Sequence, residues 1–196
     1  IRVGSRSESG LVLMPRRDGP KLTRDDLAKV KELDLSEKDL SDLSPLAGLT
    51  GAKSLYLNDN PVSDLAPLSG LKGLLTLSLN RCQVVSLRPL RDLNGLVYLN
   101  LDNNQISDLT PVVGLKGLEI LGLSGNQVTN LTPLMGLENL YHLELVENRI
   151  TDLSPLAKLT KLKYLSLDNN SNLTQSEVDK LKKALPKCEI EHNAPE

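Results

Sequence analysis

Four residues carry the side chains most often used for chemistry: Cys82 and Cys188, His142 and His192. A thiol can act as a nucleophile, a metal ligand or half of a disulfide, provided that a base, further ligands or a second thiol stand beside it. His142 is followed two residues later by Glu144, so on a strand an imidazole and a carboxylate would share one face. Around that pair the sequence supplies no nucleophile, oxyanion turn, phosphate loop or metal set, and the expectation is a chain that is not an enzyme and carries no cofactor. Asn130-Leu-Thr132 and Asn172-Leu-Thr174 have the form of glycosylation acceptors, but both arise from the repeat chemistry that shapes the whole chain.

The composition directs attention to the scaffold. Among 196 residues there is no Phe and no Trp, and only four Tyr, so aromatic burial cannot dominate the core. Leucine carries the apolar weight. A formal net charge of −2 gives no reason to expect nucleic-acid binding. No apolar run approaches the ~18 residues that would insert across a bilayer, and Leu11–Met14 is too short for the apolar region of a signal peptide. The chain opens at Ile1, which reads as a processed or trimmed fragment. The compartment therefore stays open between a bacterial surface or secreted setting and a cytoplasm.

A step of 22 residues governs the middle of the chain. Leu33, Leu55, Leu77, Leu99, Leu121, Leu143 and Leu165 keep it, and so do Leu35, Leu57, Leu79, Leu101, Leu123, Leu145 and Leu167. Pro45, Pro67, Pro89, Pro111, Pro133 and Pro155 follow the same step. Each copy reads LxxLxLxxNxI and then xDLxPLxxL. The LxL core alternates as a strand with one buried face should. Ser44, Thr110, Thr132 and Ser154 each precede a proline and read as N-caps of one short helical turn, of 3₁₀ type, that buries two leucines. Ala66 and Arg88 lack that cap, which predicts looser turns there. One unit cannot bury its own leucines, whereas stacked units form a continuous core. Seven strands then make a parallel sheet about 30 Å long at ~4.8 Å per strand.

These motifs resemble the leucine-rich repeats, most closely those of bacterial internalins, and are also similar to the repeats of a eukaryotic phosphatase regulator. The resemblance covers about 30–173. It implies an α/β solenoid with a curved parallel sheet on the concave side, short 3₁₀ or turn segments on the convex side, and helical caps at both ends. On this reading residues 1–20 are a tail or linker, 21–29 an N-terminal cap helix, 30–173 seven repeats, and 174–192 a C-terminal cap helix and short strand. Thr23 reads as the N-cap of the first helix, with Leu22 and Leu27 as a hydrophobic staple. Thr174-Gln-Ser-Glu177 reads as a capping box, followed by the apolar stripe of Val178, Leu181 and Leu185 and a stop at Pro186.

The resemblance also implies a structural ladder of buried asparagines, here Asn60, Asn104, Asn126, Asn148 and Asn170, with cysteine as an accepted substitute at Cys82. After each strand the chain bends, and an inward amide can serve the backbone groups left without sheet partners. A thiol tolerates burial and keeps one weak donor, so Cys82 reads as an unreactive member of this ladder. A disulfide needs Cα atoms within ~7 Å, yet Cys188 lies some five strand spacings away, about 24 Å at ~4.8 Å each. No disulfide is expected, and neither histidine lies in the repeat of Cys82.

In such a solenoid the strand residues between the core leucines point out of the concave face. One column then reads Glu32, Ser54, Thr76, Tyr98, Ile120, His142, Tyr164, and the next holds Asp34, Tyr56 and Glu144. Two further columns contribute Asp102, Val146 and Asp168, and then Glu37, Asp59, Arg81 and Glu147. Tyr98 to Tyr164 forms a stripe about 14 Å long at ~4.8 Å per strand. Tyrosine suits an interface because a large rigid ring keeps a polar tip; equally, Tyr, Ile and His are good partners across a sheet. Eight carboxylates stand on these columns against Arg81 alone, a charge that would steer a basic partner. Arg81 is where an acidic group of a partner would be met. The sequence thus points to a module that binds a protein or peptide with basic groups, with no nucleic acid and no membrane insertion. The alternative is a spacer segment of a larger multidomain or surface protein. The internalin resemblance implies a surface-protein partner, and the phosphatase-regulator resemblance a cytosolic one.

Overall fold

The computed structural model describes residues 2–3, 13–14 and 24–195. The tail reading of 1–20 meets only β1 (Arg2–Val3) and β2 (Leu13–Met14), which pair antiparallel. The N-cap at Thr23 and the staple residue Leu22 lie outside the described residues. From α1 (Arg24–Lys29) onward the chain is a solenoid.

Each repeat contributes one three-residue strand: β3 (Glu32–Asp34), β4 (Ser54–Tyr56), β5 (Thr76–Ser78), β6 (Tyr98–Asn100), β7 (Ile120–Gly122), β8 (His142–Glu144) and β9 (Tyr164–Ser166). They pair in parallel and in sequence order, with every strand shifted by one repeat against the last, so Leu33 faces Leu55 and Leu143 faces Leu165. An eighth strand, β10 (Glu189–Glu191), joins from beyond the repeats and pairs parallel with β9. Strands this short persist because identical residues stack at each level. The two leucines of every LxL are almost wholly buried, as are the leucines of the returning segments. Burying one such side chain stabilises by roughly 1.5–3 kcal/mol, and neighbouring repeats share the gain.

The return segments are 3₁₀ turns at Ser44–Gly48, Ala66–Leu68, Arg88–Leu90, Thr110–Gly114, Thr132–Leu134 and Ser154–Leu156. Here the structure corrects the sequence reading. Ser44, Thr110, Thr132 and Ser154 are the first residues of their turns, and the leucine before each makes no side-chain cap. The cap comes from one residue earlier still. Asp42, Asp64, Asp108 and Asp152 each accept, at 2.8 Å, the backbone N–H two residues on, and Asn130 does so at 2.9 Å. This is the local turn that short Asx side chains form with their own backbone. The turn at Ala66 is therefore capped as well as the others. Only Arg88 has a weaker arrangement, with Ser86 Oγ at 3.4 Å. Hydrogen bonds from the hydroxyls of Ser44, Thr110 and Ser154, and then from their N–H groups, hold Asp42, Asp108 and Asp152 below the ordinary carboxylate range.

At the C-terminal end α2 (Gln175–Ala184) lies against the last 3₁₀ turn, with Val178, Leu181 and then Leu185 buried. Thr174 accepts from the Glu177 N–H at 3.4 Å. The returning half of the capping box is not made, because the Glu177 carboxylate pairs with Lys180 one turn along. Among the described residues no helix is long and apolar enough to cross a membrane.

Candidate functional site: the concave face

The loop that follows each strand fixes the geometry of the face. Asn60, Asn104, Asn126, Asn148 and Asn170 are buried, and each repeats one set of bonds. In Asn126 the amide Nδ2 donates to the carbonyls of Leu101, Leu123 and Ser124, at 2.9, 3.0 and 3.2 Å. Its Oδ1 accepts the Ile106 N–H of the preceding repeat at 2.9 Å. One side chain thus shares the Leu101 and Leu123 carbonyls with the neighbouring rungs and the Ser124 carbonyl with the Asn103 N–H, and it supplies the acceptor of the Ile106 N–H.

Cys82 occupies the same hole at 8 % exposure and performs part of this work. Its thiol faces the Leu57 and Asn80 carbonyls at 3.4 and 3.7 Å. A thiol is a weaker acceptor than an amide oxygen, and the Val62 N–H, which by register faces it, also donates to the Asn60 carbonyl at 2.7 Å. Burial raises the Cys82 thiol above its usual range, which keeps it in its less reactive form. Cys188 is also free, and burial pushes it up to about 11.

One position after the bend stands a column in the left-handed backbone region: Glu37, Asp59, Arg81, Asn103, Gly125, Glu147 and Asn169, with φ between 51° and 65°. The reading of these residues as freely chosen surface groups is thereby qualified, since each also turns the chain. Only Gly125 adopts this conformation without steric cost.

On the sheet itself Tyr98, Ile120, His142 and Tyr164 stand opposite one another in successive strands. All four are partly exposed, while the leucine beneath each is closed to solvent. The His142 and Tyr164 rings stack, with centroids 4.6 Å apart and planes 24° from parallel. His142 Nε2 donates to Glu144 Oε1 at 2.8 Å. Tyr164 donates its hydroxyl to Glu191 Oε2 at 2.6 Å, a bond that pushes the phenol up to about 12. Tyr56 stands apart from this row, on β4, where burial and then the Glu32 charge raise its phenol. Val146 and Asp168 are partly exposed in the loops after β8 and β9.

Two of the charged candidates have work within the chain. Asp102 Oδ1 accepts the Ser124 N–H of the next repeat at 2.8 Å, as Asn58 does for Asn80 at 2.9 Å. Gly122 makes room for it, since a Cβ there would come within 2.9 Å of that oxygen. Burial raises the Asp102 carboxyl, the Ser124 N–H opposes this, and the Glu144 charge adds to the rise. Arg81 lies 3.7 Å from Asp59 in an exposed pair. The guanidinium remains exposed beside that carboxylate.

Sequence reasoning passed over four residues near this face. Tyr141, just before β8, is 41 % exposed, and Leu75 occupies the same position two repeats before Glu119. Both head a strand at a place where other repeats have lysine, and that break in type was the available signal. Glu189 and Glu191 reach the sheet only because β10 joins it; the alternation in Glu-Ile-Glu was the clue. Among the described residues no group of three or more potential ligands gathers for a metal.

A family model of leucine-rich repeats in two copies matches residues 72–115, 94–139 and 138–183, more than half of the chain. The chain belongs to the leucine-rich repeat family. Among solved structures it is similar to internalin C2 of Listeria monocytogenes, with 30 % identity and a TM-score of 0.82 over 89 % of this chain and 77 % of that one. A second internalin of the same organism, inlF, gives 30 % identity and 0.72 over 88 % of this chain and 58 % of that one. A leucine-rich repeat protein of Leptospira interrogans gives 30 % and 0.80 over 85 % of this chain. The chain spans only 44 % of the Leptospira protein and, like its share of inlF, this falls short of two thirds. No curated protein matches the chain.

Proposed function

We propose that the chain is a non-enzymatic interaction module whose concave face docks a protein or peptide bearing basic groups. Leucine-rich repeat proteins in general mediate protein–protein interaction, which sets the class. The observation that supports the face is the row Tyr98–Ile120–His142–Tyr164, partly exposed on a sheet whose other side is closed by leucine. Side chains of this kind form the anchors of interfaces when they are rigid and already positioned. The stack on His142 and the bond to Glu191 hold Tyr164 in place before any partner arrives. Glu144, Asp168 and Glu191 then surround the row with negative charge, which speeds encounter with a basic surface.

Tyr164 is bound into the fold, so the clean test uses Tyr98 and Ile120. The double variant Tyr98→Ala/Ile120→Ala should lose a partner captured by the wild-type chain, while its melting temperature stays close to the original. Equal capture by both proteins would remove the partner from this face. A spacer role would give no capture with either.

A further inference from the structure

We infer that β10 is a clasp, closed over the end of the concave face at neutral pH and released by acid through His192. Three successive residues make it, the last of β10 and the two that follow. Glu191 accepts the Tyr164 hydroxyl, and Asn193 exchanges two bonds of 2.8 Å with Asn169, one to its backbone N–H and one to its side chain. His192 stands between them, with Nε2 at 3.1 Å from Lys182 Nζ of α2.

The Lys182 ammonium has only protons to give, so Nε2 must be the acceptor and carry none. The single proton of the neutral ring then sits on Nδ1, which is buried without a partner. A second proton would leave two cationic donors facing each other at 3.1 Å with no acceptor between them. Asp168 after β9 and Asp179 of α2 also face the ring, and Glu189 and Glu191 stand on β10 just before it. Burial first and the Lys182 charge second hold His192 below the ordinary histidine range, while the two aspartates oppose them. The sign follows from that direction. A base held below its unfolded value contributes stability at pH above that value, ~6.5, and loses it as the pH falls.

Release of β10 would free the Tyr164 hydroxyl and change the end of the docking row. That regulatory meaning rests on the concave-face reading; the clasp itself does not, and its test uses no partner. Two amides report the docked strand: Leu167 N–H donates to the Glu191 carbonyl, and Glu189 N–H to the Lys163 carbonyl, both at 2.8 Å. Hydrogen exchange by NMR at about pH 7.5 and about pH 5.5, where carboxylates of ordinary range stay ionised, gives their protection factors. The wild type should lose protection at both amides in acid, while Leu101, bonded to Gly122 in mid-sheet, keeps its own. His192→Gln should hold the two amides at equal protection at both pH values. Lys182→Met, which removes the opposing cation, should reduce the acid loss. Equal protection of the wild type at the two pH values overturns the clasp. An unchanged acid loss in Lys182→Met does the same, even where His192→Gln undocks the strand altogether.

Discussion

Two columns run the length of this solenoid a few residues apart, at the same 22-residue step. The inner one reads Asn60, Cys82, Asn104, Asn126, Asn148, Asn170 and faces a buried bend. The outer one reads Glu32, Ser54, Thr76, Tyr98, Ile120, His142, Tyr164 and faces solvent. Every asparagine of the first meets the equivalent strand carbonyls and an N–H of the preceding repeat, and Cys82 meets part of that set, so one kind of side chain solves the problem at nearly every level. No rung of the second has its neighbours' obligations, and its residues differ. Uniformity here marks the positions where the fold leaves no choice, and variety marks the positions where a partner can be addressed.

The sharpest way to break that contrast is to remove an inner rung. Asn126→Ala leaves the Ile106 N–H without a partner and takes one of two donors from each of the Leu101, Leu123 and Ser124 carbonyls. At roughly 1–3 kcal/mol for an unmade buried bond, a loss of about 2 kcal/mol is expected by denaturant titration. Tyr98→Ala on the outer column should stay near zero on the same scale.

A smaller effect of opposite sign is expected at the odd rung. Cys82→Asn restores an acceptor for the Val62 N–H and a full set of donors to the carbonyls, a gain of about 1 kcal/mol. In a chain of this size that is roughly 2–4 °C in Tm by calorimetry. A fall in Tm would mean that the hole has adapted to sulfur.

The smallest effect concerns the turn caps. Asp42, Asp108 and Asp152 lie below the ordinary carboxylate value in the fold. Their contribution is therefore complete above ~3.9 and is lost as the pH falls through the lowered values. Replacing all three by Asn, which already caps the turn at Thr132, should flatten the acid limb of a melting curve recorded against pH. An unaltered acid limb would assign that loss to other carboxylates.

The solenoid was legible because burial repeats: leucines at one spacing can only stack, and the three-residue strands follow from LxL. Other features left no trace that residue types could carry. Asp and Ser or Thr sit two apart in three of the six return segments, and both are good cap residues, so types alone cannot say which one accepts the N–H. The left-handed column mixes Glu, Asp, Arg, Asn and Gly, and glycine marks it only once. Asp102 resembles any exposed acid in sequence, yet the missing side chain at Gly122 lets it reach across to Ser124. β10 is legible as alternation but not as an addition to the sheet, because its pairing depends on where α2 ends in space.

The thiol at Cys82 gives one joint of the stack a ladder rung with fewer bonds than an asparagine makes. Adjacent repeats are coupled mainly by the leucines they bury together, and Asn58 still accepts from Ser78 Oγ and the Asn80 N–H across that joint. Hydrogen exchange in mild denaturant shows whether it opens before its neighbours. A thiol reagent reads that joint once the half-buried Cys188 is replaced. Cys82, unreactive in the closed structure, is thus a built-in reporter of where and how often the chain comes apart.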